Sequence, residues 1–263
     1  DVLGLVVGDS SKDIYSFNQV KFLECSSLLE TSGINEQQVL YTYIVDADEN
    51  GYDIVKSISV DKQTITTINI GLDTLNGEEI VDITVVPLNN SLNAETVFVT
   101  TNMNNVFYAF NNWTEFKTFV IPTEIANVTK ITALRKATSN AVDLLLYSDT
   151  ISHLILDFNF TVQEYQIRDT SPITIDLISD AINNRVVTSF DAKYSNNTIG
   201  IWFVLDTLEV VRFQYQELFN GSTNVYTSLN ETELTFPISG ISLNYDSSDL
   251  NVIGLNGNDS LFL

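Results

Sequence analysis

Short runs of alternating apolar and polar residues recur along the whole chain. The clearest is Leu5–Asn18, where an apolar run, a polar turn and a second alternating run end in Phe-Asn. Period-two alternation interrupted by a polar turn is typical of a β-hairpin. The same pattern predicts hairpins at Val97–Asn111, Asp143–Asn159 and Ile199–Gln214, and weaker ones at Ile54–Asn69 and Leu250–Leu263.

The hairpins recur at a nearly constant spacing. Their second strands end roughly 50 residues apart, which suits four short strands with their turns and is the spacing of propeller blades. These ends are Phe17, Ile68, Phe110, Phe158 and Phe213. A further strand is predicted before several hairpins, at Ile80–Val86, Lys130–Arg135, Arg185–Phe190 and Ile238–Asn244, and after two of them, at Phe116–Ile121 and Val162–Ile167.

The spacing predicts an all-β fold, a single β-propeller over residues 1–263 with about six four-stranded blades (about five to seven). Partial blades are expected at both ends, so the disc either closes by joining them or continues in a larger protein, and the second reading is favoured. The alternative is a β-sandwich, which also has many short strands but does not predict regular hairpin ends. Lys21–Ser26 is predicted to be a strand, whereas Ser26–Ile34 and Ser179–Asn184 are interpreted as helical turns or loops.

The charge balance excludes some partners. With 34 acidic and 12 basic residues the formal net charge is −22, and such a field repels nucleic-acid backbones and anionic lipid surfaces. No apolar run is long enough to span a bilayer, so no membrane span is predicted. Cys25 is the single cysteine, which excludes an internal disulfide and a cysteine-based zinc site.

The sequence carries no recognisable catalytic motif, and we assign no catalytic residue. His153 is the only histidine, and its place in a predicted strand indicates a structural role. No nucleophile elbow and no glycine-rich phosphate loop occurs. The remaining enzymatic alternative is a propeller glycoside hydrolase that uses paired carboxylates, and the sequence does not select a pair.

One acidic segment has the chemistry of a hard-cation site. In Asp46-Ala-Asp-Glu-Asn-Gly-Tyr-Asp53, oxygen-bearing side chains alternate and a glycine turns the backbone. The predicted calcium ligands are Asp46, Asp48, Asn50, Tyr52 and Asp53. Calcium is the only cofactor expected; the competing interpretation of this segment is an acidic hairpin turn.

The hairpin at 5–18 resembles the blade hairpin of the FG-GAP/VCBS-type and PQQ-like propeller families, and those at 97–111 and 143–159 resemble it more loosely. The 46–53 segment is similar to the calcium loop of FG-GAP blades, with the last acid, Asp53, one place early and Ile54 in its position. The resemblance implies a binding role, because known members are mainly extracellular adhesion, recognition or scaffold proteins.

Eight Asn-x-Ser/Thr sequons favour a glycosylated surface protein. They are Asn89, Asn112, Asn127, Asn159, Asn196, Asn220, Asn230 and Asn258. The sequence therefore predicts a non-catalytic extracellular or cell-surface module that binds a protein or glycan or assembles with itself in a surface layer, filament or adhesin. An intracellular propeller scaffold with bare sequons is the other non-enzymatic alternative.

Overall fold

The computed structural model of the chain describes most of its first 206 residues and the backbone of several later strands. The described residues are 5–6, 14–15, 19–32, 35–59, 64–87, 95–135, 141–148, 150–159, 161–168, 173–175, 185–195, 198–206, 209–217, 223–233, 238–243, 252–256 and 261–262.

Within these ranges the chain is almost entirely β-structure, and the helical content is one 3₁₀ turn, Thr74–Asn76. The strands of the first half are β1 (Leu5–Val6), β2 (Ile14–Tyr15), β3 (Phe22–Ser32), β4 (Asn35–Ala47), β5 (Asp53–Ser59), β6 (Thr64–Ile68), β7 (Ile80–Pro87), β8 (Glu95–Thr101), β9 (Val106–Phe110) and β10 (Lys117–Phe119). Those of the second half are β11 (Lys130–Arg135), β12 (Val142–Tyr147), β13 (Ile151–Asn159), β14 (Glu164–Ile167), β15 (Ile173–Ile175), β16 (Val187–Ser195), β17 (Thr198–Leu205), β18 (Glu209–Glu217), β19 (Thr223–Glu233), β20 (Ile238–Leu243), β21 (Val252–Asn256) and β22 (Leu261–Phe262).

The strands form consecutive antiparallel sheets in which each strand pairs with its neighbour in sequence. In chain order these are sheet I (β1–β2), sheet II (β3–β6), sheet III (β7–β10), sheet IV (β11–β15), sheet V (β16–β19) and sheet VI (β20–β22). Sheet IV has two short strands on the side of β13 away from β12, because β13 pairs with β14 along Leu156–Asn159 and with β15 along Ile151–His153. The predicted all-β fold is confirmed.

The predicted hairpins are present, but one occupies a different place in its sheet. Those at 97–111, 143–159 and 199–214 are the second and third strands of sheets III, IV and V. The hairpin at 54–69 joins the third and fourth strands of sheet II instead. The second and third strands there are β4 and β5, which have a longer partner strand, β3, before them.

The interpretation of Ser26–Ile34 as a helical turn or loop is wrong for Ser26–Ser32, which lies in β3. This stretch pairs residue by residue with β4, from Ser26 opposite Tyr41 to Ser32 opposite Asn35. Its serines and glutamate carry little strand propensity, so the unbroken pairing with β4 decides the conformation. Cys25 lies in β3, as predicted for Lys21–Ser26, and Ser179–Asn184 lies outside the described residues.

The chain divides into two compact units, Asp1–Thr129 and Lys130–Leu263. In unit 1 the facing sides of sheets II and III share an apolar core that includes Tyr43, Val55, Val97 and Phe107. In unit 2 the facing sides of sheets IV and V share another, built from residues such as Leu145, Ile201 and Phe203. The outer edges of sheets II and III also meet, because Asn69 at the end of β6 forms a parallel bridge with Glu115 just before β10.

In sheets II, III and IV, burial falls from the middle to the outer strands. Every residue of β8 and β9 is buried, as are the first five of β12. In contrast, the first four residues of β6 are exposed, and β14 is largely exposed. The middle strands are therefore covered on both faces rather than on one.

A search of the described residues finds no helix with the length and apolar character needed to cross a membrane.

Candidate functional site

The first residue of the predicted calcium segment, Asp46, is fully buried at the end of β4. Its Oδ1 accepts hydrogen bonds from the backbone N–H of Gln19 and of Ala47, at 2.7 and 2.9 Å. Its Oδ2 lies 2.6 Å from Nζ of Lys56. The carboxylate is thus neutralised by a lysine and ties the chain before β3 to the β4–β5 hairpin.

The next ligand candidates form a tight turn around Asp48. Its Oδ1 accepts the N–H groups of Asn50 and Tyr52, both at 2.8 Å, and Gly51 takes a positive φ of 84°. The Tyr52 and Asn50 amides lower the pKa of Asp48, because they stabilise its ionised form. The geometry is that of a hairpin turn closed by an aspartate side chain.

The last candidate, Asp53, points to a different set of partners. Its Oδ2 accepts the backbone N–H of Ile80 at 2.8 Å, and its Oδ1 lies 2.8 Å from Nζ of Lys21. Lys21 also contacts Glu79 at 3.2 Å. Burial acts to lower the pKa of Lys21, but Asp53 and Glu79 outweigh that effect, so the pKa is raised. The structure thus engages Asp46, Asp48 and Asp53 separately, and among the described residues no three His, Cys, Asp or Glu side chains are grouped to hold a metal. The calcium site stays a prediction from the sequence.

Two buried acids lie at the interfaces between sheets, and sequence reasoning selected neither. In unit 1, Glu95 at the start of β8 is fully buried and accepts hydrogen bonds from the hydroxyls of Tyr43 and Ser26 in sheet II. Burial raises the pKa of Glu95, and the two hydroxyl donors oppose that rise. We call this group the Glu95 cluster.

In unit 2, Asp143 on β12 lies between a histidine and a tyrosine. Nε2 of His153 is 2.7 Å from Asp143 Oδ1, and the hydroxyl of Tyr194 on β16 donates to Oδ2 at 2.7 Å. His153 is fully buried in β13, so the sequence correctly placed it in a strand but did not identify its partners. In both units an acid of one sheet accepts a tyrosine hydroxyl from an adjacent sheet.

The connections at one end of unit 1 form a continuous polar network. The loop after β6 folds around Glu78, whose Oε2 accepts the N–H of Asp73 at 2.8 Å. Its Oε1 accepts the Thr101 hydroxyl and the Asn105 amide, both at 2.7 Å. Burial acts to raise the pKa of Glu78, but these donors, with Asn105 foremost, lower it. Glu78 therefore fixes this loop onto the β8–β9 turn.

Asparagines extend the network to both sides. Asn102 donates to the Gly77 carbonyl at 3.0 Å and accepts the Glu79 N–H at 3.0 Å. Asn104, at a positive φ of 63°, donates to the Ile125 carbonyl and accepts the Val128 N–H, both at 3.0 Å. Three connections are thus held in one arrangement. The sequence signal was the Asn-Met-Asn-Asn turn, 102–105, which indicates a turn but not its partners.

The sequons fall in different environments. Asn112 and Asn127 are exposed in loops, and Asn127 has a positive φ of 57°. Asn159 ends β13, and its side-chain oxygen accepts the N–H groups of Thr161 and Val162 at 3.0 and 3.4 Å. Asn230 lies in β19. Four sequons lie outside the described residues: Asn89, Asn196, Asn220 and Asn258.

The described residues place the chain in the class of all-β proteins built from consecutive antiparallel sheets. No family model and no curated protein matches the sequence. A solved structure with similarity to the chain is the complex of the fission yeast SREBP–SCAP binding domains, at 14% sequence identity and a TM-score of 0.39. The match covers 95% of this chain and 66% of that chain, so this protein spans just under two thirds of its length.

Proposed function

We propose that the chain is a non-catalytic interaction module of an extracellular or cell-surface glycoprotein, and that its sheets are blades of one β-propeller. The observation that carries the binding role is the set of connections at one end of unit 1, which Glu78, Asn102 and Asn104 hold in a fixed arrangement. A rigid loop surface binds partners well, because little conformational entropy is lost on association.

The order and burial of the strands support the propeller. The first strands of neighbouring sheets lie against each other, β3 against β7 in unit 1, and β11 against β16 and β16 against β20 in unit 2. Middle strands are buried on both faces while outer strands are exposed. A two-sheet sandwich would instead expose one face of each strand. Radially arranged blades with their first strands innermost account for both observations.

Electron microscopy of the purified protein tests the propeller. We expect class averages of a disc with sheets arranged around an axis. Averages of two flat layers packed face to face would contradict it.

The positions of the buried acids support a non-catalytic role. Glu95 and Asp143 each bind hydroxyl groups of a neighbouring sheet, and Asp46 binds Lys56. Each of these carboxylates acts as a structural hydrogen-bond acceptor at a different place in the fold. Asp53 and Glu79 are close enough to share Lys21, at 2.8 and 3.2 Å from its Nζ, and this cation pairs with both of them.

The exposure of Asn112 and Asn127 supports glycosylation, because an acceptor asparagine must be reachable on the surface. We expect enzymatic removal of N-glycans to lower the intact mass of the protein isolated from its natural source. Asn112→Gln and Asn127→Gln should each remove one glycan when the protein is expressed in secreting cells. Asn76→Gln, an exposed asparagine outside any sequon, is the matched control and should leave the glycan mass unchanged. A natural protein whose mass does not change on deglycosylation would contradict the glycoprotein proposal.

A further inference from the structure

Large apolar side chains are exposed on the same connections that the polar network holds. We define the loop surface as residues 48–52, 73–79, 102–105 and 120–128 of unit 1. Leu75 in the 3₁₀ turn is 95% exposed, and Val120 after β10 is 81% exposed. Tyr52 and Met103 are exposed by 44% and 39%. Each of the four segments therefore presents an apolar side chain to solvent.

Topology and hydrogen bonds both place these segments at one end of unit 1. In an antiparallel meander, the turn between strands two and three lies at the same end as the connection to the next sheet. Lys21 links Asp53, beside the first segment, to Glu79 in the second. Asn102 links the second to the third, and Asn104 links the third to the fourth.

Hydrogen bonds close the turn that presents Leu75. Asn76 donates from its side chain to Asp73 Oδ2 at 2.7 Å, and Gly77 closes the turn at a left-handed φ of 78°. Glu78 then holds the loop in place, because its carboxylate accepts the Asp73 N–H and the Asn105 side-chain amide. Exposure of Leu75 is thus built into a structured turn, and a partner that packs on it has no loop to order first.

The charged side chains of the four segments are all acidic, and Lys21, which lies outside these segments, contacts Glu79 at 3.2 Å. The four segments contain no lysine or arginine. Glu49, Asp73, Glu79 and Glu124 are exposed on them. An apolar anchor within an acidic rim is complementary to a basic segment that carries an apolar residue.

We propose that the loop surface binds an extended cationic segment of a partner protein, with a large apolar side chain of that segment packed on Leu75. This deepens the proposed interaction function and rests on it. A second copy of the chain fits the surface poorly, because its net charge of −22 would oppose association.

The test is a selection of random linear peptides displayed on phage against the wild-type chain, followed by titration calorimetry of the enriched peptides. We expect enriched peptides to combine Lys or Arg with a large apolar residue. Leu75→Ser should weaken their binding by about tenfold or more, since burying a leucine is worth about 1.5–3 kcal/mol and 1.4 kcal/mol is tenfold in affinity. Affinity should also fall as salt is raised from about 0.05 to 0.5 M.

Two controls separate this surface from general effects. Val162→Ser changes a half-exposed apolar residue in the β13–β14 turn of unit 2 and should leave peptide binding unchanged. The double variant Glu49→Lys and Glu124→Lys should lower the affinity for the peptides, whereas Glu164→Lys on β14 should leave it unchanged. Because Leu75 is almost fully exposed, the melting temperature of the Leu75→Ser variant should equal that of wild type.

Peptides that bind wild type and Leu75→Ser equally would overturn the inference and leave the interaction module standing, since binding would then use another surface. Enriched peptides without basic residues, or an affinity insensitive to salt, would also overturn it. A selection that yields no binder overturns it as well, whereas the intact-mass and microscopy tests of the proposed function are unaffected by that result.

Discussion

Substitution of Tyr43 by phenylalanine removes one donor from the Glu95 cluster and leaves the packing of the ring in place. Tyr43 is fully buried in β4, and its hydroxyl donates to a carboxylate that is itself fully buried. Burial raises the pKa of Glu95, and the Ser26 and Tyr43 hydroxyls oppose this rise. The variant should therefore raise that pKa further and destabilise the ionised folded state.

The magnitude depends on the charge of Glu95. A hydrogen bond to a charged group contributes about 1.5–3 kcal/mol, and one between neutral groups about 0.5–1.5 kcal/mol. A carboxyl whose pKa is raised by folding gives full stability below its unfolded value, near about 4.3, and loses it as pH rises through the folded value. The Tyr43→Phe penalty should thus be smaller at about pH 4 and larger at about pH 8, by about 1 kcal/mol.

Urea unfolding followed by Trp113 fluorescence measures this penalty within unit 1. The chain has two tryptophans, so a Trp202→Phe background makes Trp113 the sole reporter. In a Glu95→Gln background the Tyr43→Phe penalty should no longer depend on pH, because the titrating group is gone. Tyr52→Phe, whose ring is half-exposed, is the control and should change stability by less than about 0.5 kcal/mol. A Tyr43→Phe penalty that is equal at both pH values in the background that retains Glu95 would refute this reasoning.

Three further predictions concern turns and close contacts. Asp48→Ala should lower the melting temperature at neutral pH. Because folding lowers the pKa of Asp48, the stabilisation that its carboxylate provides is lost as pH falls below about 3.9. A melting-temperature difference between variant and wild type that persists in strong acid would contradict this prediction. Gly200→Ala should destabilise unit 2 by about 1–3 kcal/mol in urea unfolding, because an added Cβ would lie 2.6 Å from the Trp202 ring. Trp202→Phe should reduce the penalty of Gly200→Ala, and additive penalties of the two substitutions would contradict the contact. The calcium site predicted at 46–53 requires a higher melting temperature with calcium than with chelator, and equal temperatures would count against it.

Strand pattern and spacing were enough to predict the all-β fold and most hairpins, because alternation and turn dipeptides are local signals. Ser26–Ser32 was misread because its polar sequence has weak strand propensity and its conformation depends on pairing with β4. The place of the 54–69 hairpin as the third and fourth strands of its sheet could not be predicted, because alternation identifies neighbouring strands but not their order within the sheet.

The polar clusters were beyond sequence reasoning for a different reason. Glu95 and Tyr43 are 52 residues apart in sequence and meet through the packing of two sheets. Asp143 and Tyr194 are 51 apart and meet in the same way. Among 34 acids nothing local marks these two. The acidic segment 46–53 did stand out locally, but its lysine partners are set by tertiary contacts.

The bridge between Asn69 and Glu115 bears on how this chain avoids aggregation. An edge strand with unpaired amide and carbonyl groups attracts strands of other molecules. At the end of β6 those groups are already used, since the Asn69 amide donates to the Thr114 carbonyl and the Phe116 amide donates to the Asn69 carbonyl. This leaves Thr64–Thr67 as the part of β6 that lies before the bridge. A link between two outer edges thus also shortens the stretch of β6 that is open to a foreign strand.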